Sequence, residues 1–260
     1  MSPNLLDNPQ VRSFLKDKFL CSVDTHEKRV ALTFDDGPNP THTPALLEVL
    51  AKHNVKATFF LLGRYVKQFP HLVEETLAEG HELGNHGYWH APLPLLPPSL
   101  RAKEVSDAEQ LISDIAGYRP RWYRPAMGWF NKQVLSYLVS RDYQPVLGNI
   151  HPRDSGRPGS RAILDRVLDR IEPGSIVILH DGGWSPRVNR GQTVEAVAKL
   201  IPMLLDRGYR FETVGSLSGQ NAKDYSSAEV TSGASGSEAA PTSGFEPPPT
   251  QGASAENPVP

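Results

Sequence analysis

Two adjacent aspartates, Asp35 and Asp36 in TFDDGP, and two histidines four apart, His86 and His90 in HGYWH, are the side chains of this sequence best suited to hold and use a divalent metal ion. Imidazole is a common zinc ligand, and histidines at i and i+4 face the same way on a helical turn or come close in a tight loop. An isolated HxxxH is more often two unrelated surface histidines, and an isolated DDGP is more often a turn with a capping aspartate before Pro38. Together they carry more weight, because a catalytic zinc takes three protein ligands and leaves a position for water. Asp36 supplies the third ligand. Adjacent residues at a strand end project in different directions, so Asp35 is free to face a bound water while Asp36 coordinates. A metal lowers the pKa of such a water toward about 7, and a neighbouring carboxylate can take its proton. The lone Cys21 excludes an intrachain disulfide and a thiolate metal site.

Further groups stand at comparable positions. His180 closes the apolar run SIVIL, where imidazole is costly to charge without a partner; as a proton donor it would serve a departing amine. Arg124 in YRPAMG is a partner to orient Asp35 through a bidentate pair. Trp89, Trp129 and Trp184 are large, flat surfaces on which sugar rings stack, or else core residues.

The elements that must position these groups read as strands alternating with amphipathic helices, the pattern of parallel strands joined by crossover helices. Seven runs read as strands: 29–34, 57–62, 81–84, 121–123, 143–147, 175–179 and 209–213. Asp35 and Asp36, His86 and His90, Arg124, and His180 with Asp181 all lie just past such runs. In a parallel barrel the loops after the strand ends converge on one face. A helix is expected from Pro44, and another over TVEAVAKLIPMLLDRG, closed by Gly208 and kinked at Pro202. APLPLLPPSL (91–100) reads as a loop before a helix from about Ser99.

The composition, 38% hydrophobic and 22% charged over 260 residues, suits one globular domain with appendages. Residues 1–22 read as an arm or docking helix, with Val11, Phe14, Leu15 and Phe19 at helical spacing, and residues 23–218 as the catalytic domain. Residues 219–260 read as a disordered tail rich in Ser, Gly, Pro and Glu. The tail's one lysine against five carboxylates gives −4, so the remainder stands near +2 of the total −2. Such balance offers no broad basic surface for nucleic acid. No stretch approaches the roughly 18 apolar residues of a membrane span. Nor is there an apolar run of export-signal type, so the expectation is cytoplasmic.

TFDDGP, HGYWH, RPAMG and ILHD, in this order over Arg29 to Leu217, resemble the polysaccharide deacetylases, carbohydrate esterases that include chitin, chitooligosaccharide and peptidoglycan N-acetylglucosamine deacetylases. The resemblance implies an α/β fold, a distorted (β/α) barrel of about seven parallel strands. It implies Asp35 as catalytic base, His180 as general acid, and Asp36, His86 and His90 as ligands of zinc or of Co2+, Ni2+ or Mn2+. It further implies that Arg124 holds Asp35, that Leu179 lines the pocket for the acetyl methyl, and that the backbone N–H of Met127 stabilises the oxyanion. The expected substrate is an N-acetylated saccharide, with Trp129 and Trp184 beside it. An O-deacetylase of an acetylated glycan such as xylan, and a catalytically silent carbohydrate-binding protein, are the alternatives. The chain departs from the family pattern at Gly87, usually Ser or Thr, at Met127, usually aromatic, and in the fourth motif, which reads GNIHPRDSGRP; there the resemblance leaves Asp154 as the candidate carboxylate to support His180, with His151 as the less favoured one.

Overall fold

The computed structural model describes residues 18–220. The expected helix over the first residues therefore lies largely outside the described residues, as does the tail beyond Gln220. Phe19 is described and is buried, its ring 4.3 Å from that of Phe130 in a small cluster with Leu147.

Every run read as a strand forms one: β1 (Arg29–Gly37), β2 (Thr58–Leu61), β3 (Glu82–Asn85), β4 (Trp122–Tyr123), β5 (Gln144–Pro145), β6 (Ile176–His180) and β7 (Arg210–Glu212). The helices between them are α1 (His42–Lys52), α2 (Gly63–Gln68), α3 (Pro70–Ala78), α4 (Pro98–Ala116), α5 (Lys132–Ser140), α6 (Ser160–Leu168), α7 (Gly191–Asp206) and α8 (Val214–Ser218). α1 begins two residues before Pro44, which falls in its first turn. α7 runs unbroken through Pro202.

All strand pairs are parallel, in the order β5-β4-β3-β2-β1-β6, and β7 pairs with the first residues of β1. The chain just after β5 then reaches β6: Ile150 bridges Val177, and Ile178 N donates to Ile150 O at 2.8 Å. Leu20 bridges Val146 and Ser22 bridges Ser175, so the sheet curls into a distorted barrel rather than lying open.

Side chains alternate across each strand. Val30, Leu32 and Phe34, Phe59 and Leu61, Leu83, and Val177 and Leu179 face outward and form the main core with Leu46, Leu50, Ile112, Val197, Leu200 and Leu204 of the helices. The inner face is filled at one end by Ala31, Phe60, Trp122 and Ile176, together with Val214 and Leu217 of α8. α8 is anchored there: Val214 N donates to Thr58 Oγ1 and Gly215 N to Glu82 Oε2. Phe60 leaves no room beside Gly84, where a Cβ would stand 2.5 Å from its ring. The interior is thus closed at the strands' N-terminal end and left to polar residues at the C-terminal end.

Candidate active site

Asp35 and Asp36 both lie within β1, and both carboxylates enter one site. Simple alternation separates them; a register irregularity between Asp35 and Gly37 and a left-handed φ of 71° at Asp36 bring them together. Aspartate is among the few side chains that tolerate that conformation. Arg124 Nη1 donates to Asp35 Oδ1 at 2.5 Å and to Thr33 Oγ1 at 2.7 Å. The expected bidentate pair is therefore a single contact, because the same nitrogen is shared with the Thr33 hydroxyl from the inner face of β1.

HGYWH is a loop, not a helical turn. His86 and His90 are brought together by it, with ring centroids 4.9 Å apart, and His90 adopts a φ of 64°. Nε2 of His86 and Nε2 of His90 stand 3.5 and 3.4 Å from Asp36 Oδ1. His86 Nδ1 lies 2.7 Å from Arg124 O. That carbonyl can only accept, so Nδ1 carries the proton and Nε2 presents a lone pair to the site. Asp36 Oδ1 is buried and has no hydrogen-bond partner among the described residues. Ligands about 2.0–2.1 Å from a tetrahedral ion stand about 3.4 Å from one another. An orphaned carboxylate oxygen facing two imidazole nitrogens at that spacing fits a divalent cation.

The electrostatics agree with a cation-binding cluster. Burial opposes ionisation of Asp36, but the surrounding imidazoles, His86 foremost, outweigh it and hold the carboxyl well below the usual carboxylate range. His90 is pushed down to about 4 by burial and by His86, so it is a neutral, ligand-competent imidazole at neutral pH.

His180 ends β6 beside Asp35, its register partner on β1. Its Nδ1 lies 2.8 Å from Asp154 Oδ1, and its backbone N donates to Asp154 Oδ2 at 2.9 Å. Thr193 Oγ1 and Gln192 Nε2 of α7 donate to the Oδ2 and backbone oxygen of Asp154, which is fully buried. Burial works against protonation of His180, but the Asp154 carboxylate overcomes it and raises the imidazole to about 9. His151, the alternative partner, instead meets the His180 ring edge-on at 5.8 Å and accepts from Arg153 N through its Nδ1.

Asp35, Asp36, His86, His90, Arg124 and His180 line a cavity of about 1070 Å³, together with Met127, Trp129 and Trp184. Met127 sits there with a left-handed φ of 57°. Leu179 does not line it. On β6 the even-numbered residues face inward with His180, so Ile178 reaches the cavity while Leu179 is buried against the helices. Trp89 also lies apart from the cavity lining; it is exposed and packs edge-on against Tyr88 at 5.0 Å.

Sequence reasoning did not single out Glu104 of α4, whose Oε1 accepts from Trp89 N at 2.8 Å and Ala91 N at 3.1 Å. This buried carboxylate clasps the loop that carries His90, and no short-range pattern links it to that loop. Gly87 belongs to the same arrangement: at φ 87°, a Cβ would stand 2.8 Å from Glu104 Oε1. A side chain here displaces the clasp instead of adding to it. Gly87→Ser is accordingly expected to lower stability by about 1–3 kcal/mol, the usual cost of a strained backbone site, and to weaken metal binding; thermal unfolding and metal titration of the variant check both. Asp181 was seen only as His180's neighbour. It is fully buried, accepts a hydrogen bond from the Thr43 hydroxyl, and is pushed up by burial to about 7.

The family model for polysaccharide deacetylase matches residues 22–146. The chain is 41% identical over 206 residues to a peptidoglycan-N-acetylglucosamine deacetylase of Bacillus cereus, covering 75% of this chain and 90% of that protein. It is 40% identical to a chitooligosaccharide deacetylase of Sinorhizobium fredii, over 69% of this chain and 87% of that one. Its fold superposes with a TM-score of 0.75 on the crystal structure of a peptidoglycan N-acetylglucosamine deacetylase in complex with a naphthalenyl-N-oxidanyl-benzamide, at 32% identity and over 80% and 97% of the two chains. Motifs spread over four strand ends fall on one cavity, and the likeness extends through nearly the whole of these relatives: the chain belongs to the polysaccharide deacetylase family.

Proposed function

We propose that this protein hydrolyses the N-acetyl group of an N-acetylglucosamine-containing oligo- or polysaccharide, with Asp36, His86 and His90 holding a divalent ion, Zn2+ for preference. The observation that carries the reading is the placement of two proton-handling groups, Asp35 with Arg124 and His180 with Asp154, around one three-ligand cluster in one cavity. When bound, the ion supplies Lewis acidity, polarising the acetyl carbonyl and favouring ionisation of water.

The remaining chemistry falls to the side chains. Asp35, held by Arg124, takes a proton from the attacking water as its oxygen bonds to the acetyl carbon. Met127 lines the cavity, and its N–H is the donor assigned to the oxygen on which negative charge develops. His180, protonated at neutral pH through Asp154, gives its proton to the amide nitrogen as the C–N bond breaks, so that acetate and a free amine leave. Ile178 and Leu147 form apolar wall for the acetyl methyl, and Trp129 and Trp184 offer faces for the sugar rings.

A His2Asp ligand set accepts several first-row ions, and Zn2+ is favoured here by two imidazoles with one carboxylate. Among the described residues no helix is long and apolar enough to cross a membrane. The reading is tested by counting products from an N-acetylglucosamine oligomer. It expects one new amine for each acetate released, and faster release than from acetylxylan. Acetate from acetylxylan alone, with no new amine from the oligomer, would assign the site to ester hydrolysis instead.

A further inference from the structure

The cavity's charge is uneven. Apart from Asp35 and Asp36, no carboxylate among the described residues lines it, whereas Arg157, Arg187 and Arg190 do. Arg157 and Arg187 are exposed, and none of the three has a carboxylate within 4.0 Å among the described residues. Arg190 is 3% exposed, and its guanidinium ties two loops together: Nε donates to Gly182 O at 2.7 Å and Nη1 to Ser155 O at 3.0 Å. Burying a guanidinium with only carbonyl partners is costly unless a counter-charge visits it.

The loop that carries Arg187 also carries Trp184, which is 84% exposed. This loop is fixed rather than free. Asn39 Nδ2 donates to Pro186 O at 3.0 Å, Arg190 N to His42 Nε2 at 2.9 Å, and Arg64 Nη2 to Gly183 O at 3.4 Å. A flat indole on an anchored loop, lining one cavity with guanidinium groups that have no carboxylate partner, offers a stacking face together with forked donors. A sugar ring that bears a carboxylate satisfies both.

We propose that Arg157, Arg187 and Arg190, with Trp184, form a subsite for a carboxylate-bearing sugar, so that the preferred substrate is an anionic N-acetylated glycan and not a neutral one. The inference rests on the N-deacetylase reading and deepens it. Bidentate pairing of guanidinium with carboxylate supplies both attraction and orientation, and two exposed arginines near the cavity steer an anion in a salt-dependent way.

The test compares kcat/KM for acetate release from three glycans of matched length: a neutral N-acetylglucosamine oligomer, one in which alternate sugars carry a lactyl-ether carboxylate, and one in which alternate sugars are uronic acids. The metal-loaded wild-type chain is expected to favour at least one anionic glycan by about tenfold at low salt, with the preference shrinking as salt rises; which anionic arm responds identifies where the carboxylate sits. Arg157→Ala combined with Arg187→Ala is expected to cut the anionic-to-neutral ratio about tenfold, chiefly through KM. Turnover of all three glycans with a ratio near one, or a preference that the double variant leaves intact, overturns the subsite while the N-deacetylase reading stands. No acetate from any of them overturns that reading, and the subsite with it.

Discussion

Asp35→Asn is expected to lower kcat by roughly 10²–10⁴-fold, the range for loss of a positioned general base, while the chain still binds its metal. The two effects separate because the ligand atoms belong to other side chains: Asp36 Oδ1 and both Nε2 atoms lie within 4.8 Å of one another without Asp35. Asparagine keeps the size and one acceptor for Arg124 but cannot take a proton. It also removes a charge from a buried ion pair, where loss of one partner costs up to about 3–5 kcal/mol. Thermal unfolding should therefore be recorded with the kinetics, and turnover compared well below the midpoint. Undiminished turnover in a folded, metal-loaded Asp35→Asn chain would remove Asp35 from the chemistry.

Asp154→Asn should move the alkaline limb of the pH–rate profile to lower pH and reduce turnover at neutral pH. His180 works as a donor, so activity needs its protonated form. Asp154 raises it to about 9 from an ordinary 6.5, which keeps it protonated below that value and loses the donor as pH rises through it. Without the carboxylate the limb falls back toward the ordinary range, because burial still opposes the charge; a metal ion in the cluster displaces both limbs downward and leaves the order unchanged. The same linkage acts on stability. The folded-state pKa is raised, so this pair's contribution is full below about 6.5 and is lost progressively as pH climbs from there through about 9. An alkaline limb unmoved by Asp154→Asn would show that some other group donates the proton.

The strands and the residues after them were legible because apolar runs and strand-end chemistry are local patterns. Details that depend on one residue of register or on distant contacts were less so. Asp35 and Asp36 read as diverging under strict alternation, whereas a left-handed Asp36 turns both into the cavity. Leu179 and Ile178 differ by one position on β6, and which faces inward is set by pairing with β1, where Phe34 opposite Leu179 is buried outward. Asp154 was reached only through the resemblance, in a motif where the chain departs from the family pattern, and its clasp on both the ring and backbone of His180 depends on how α6 and α7 fold around it. Glu104 and Arg190 carried no local signal at all, because each acts on loops far from it in sequence.

The central claim is that Asp36, His86 and His90 hold the ion on which deacetylation depends. Metal content and acetate release should be followed together on chain purified without chelator, then stripped and reloaded. The account predicts about one divalent ion per chain, acetate release lost and regained in step with it, and Asp36→Ala failing to retain the ion. Full acetate release from the stripped chain, or stoichiometric metal in Asp36→Ala, would contradict it.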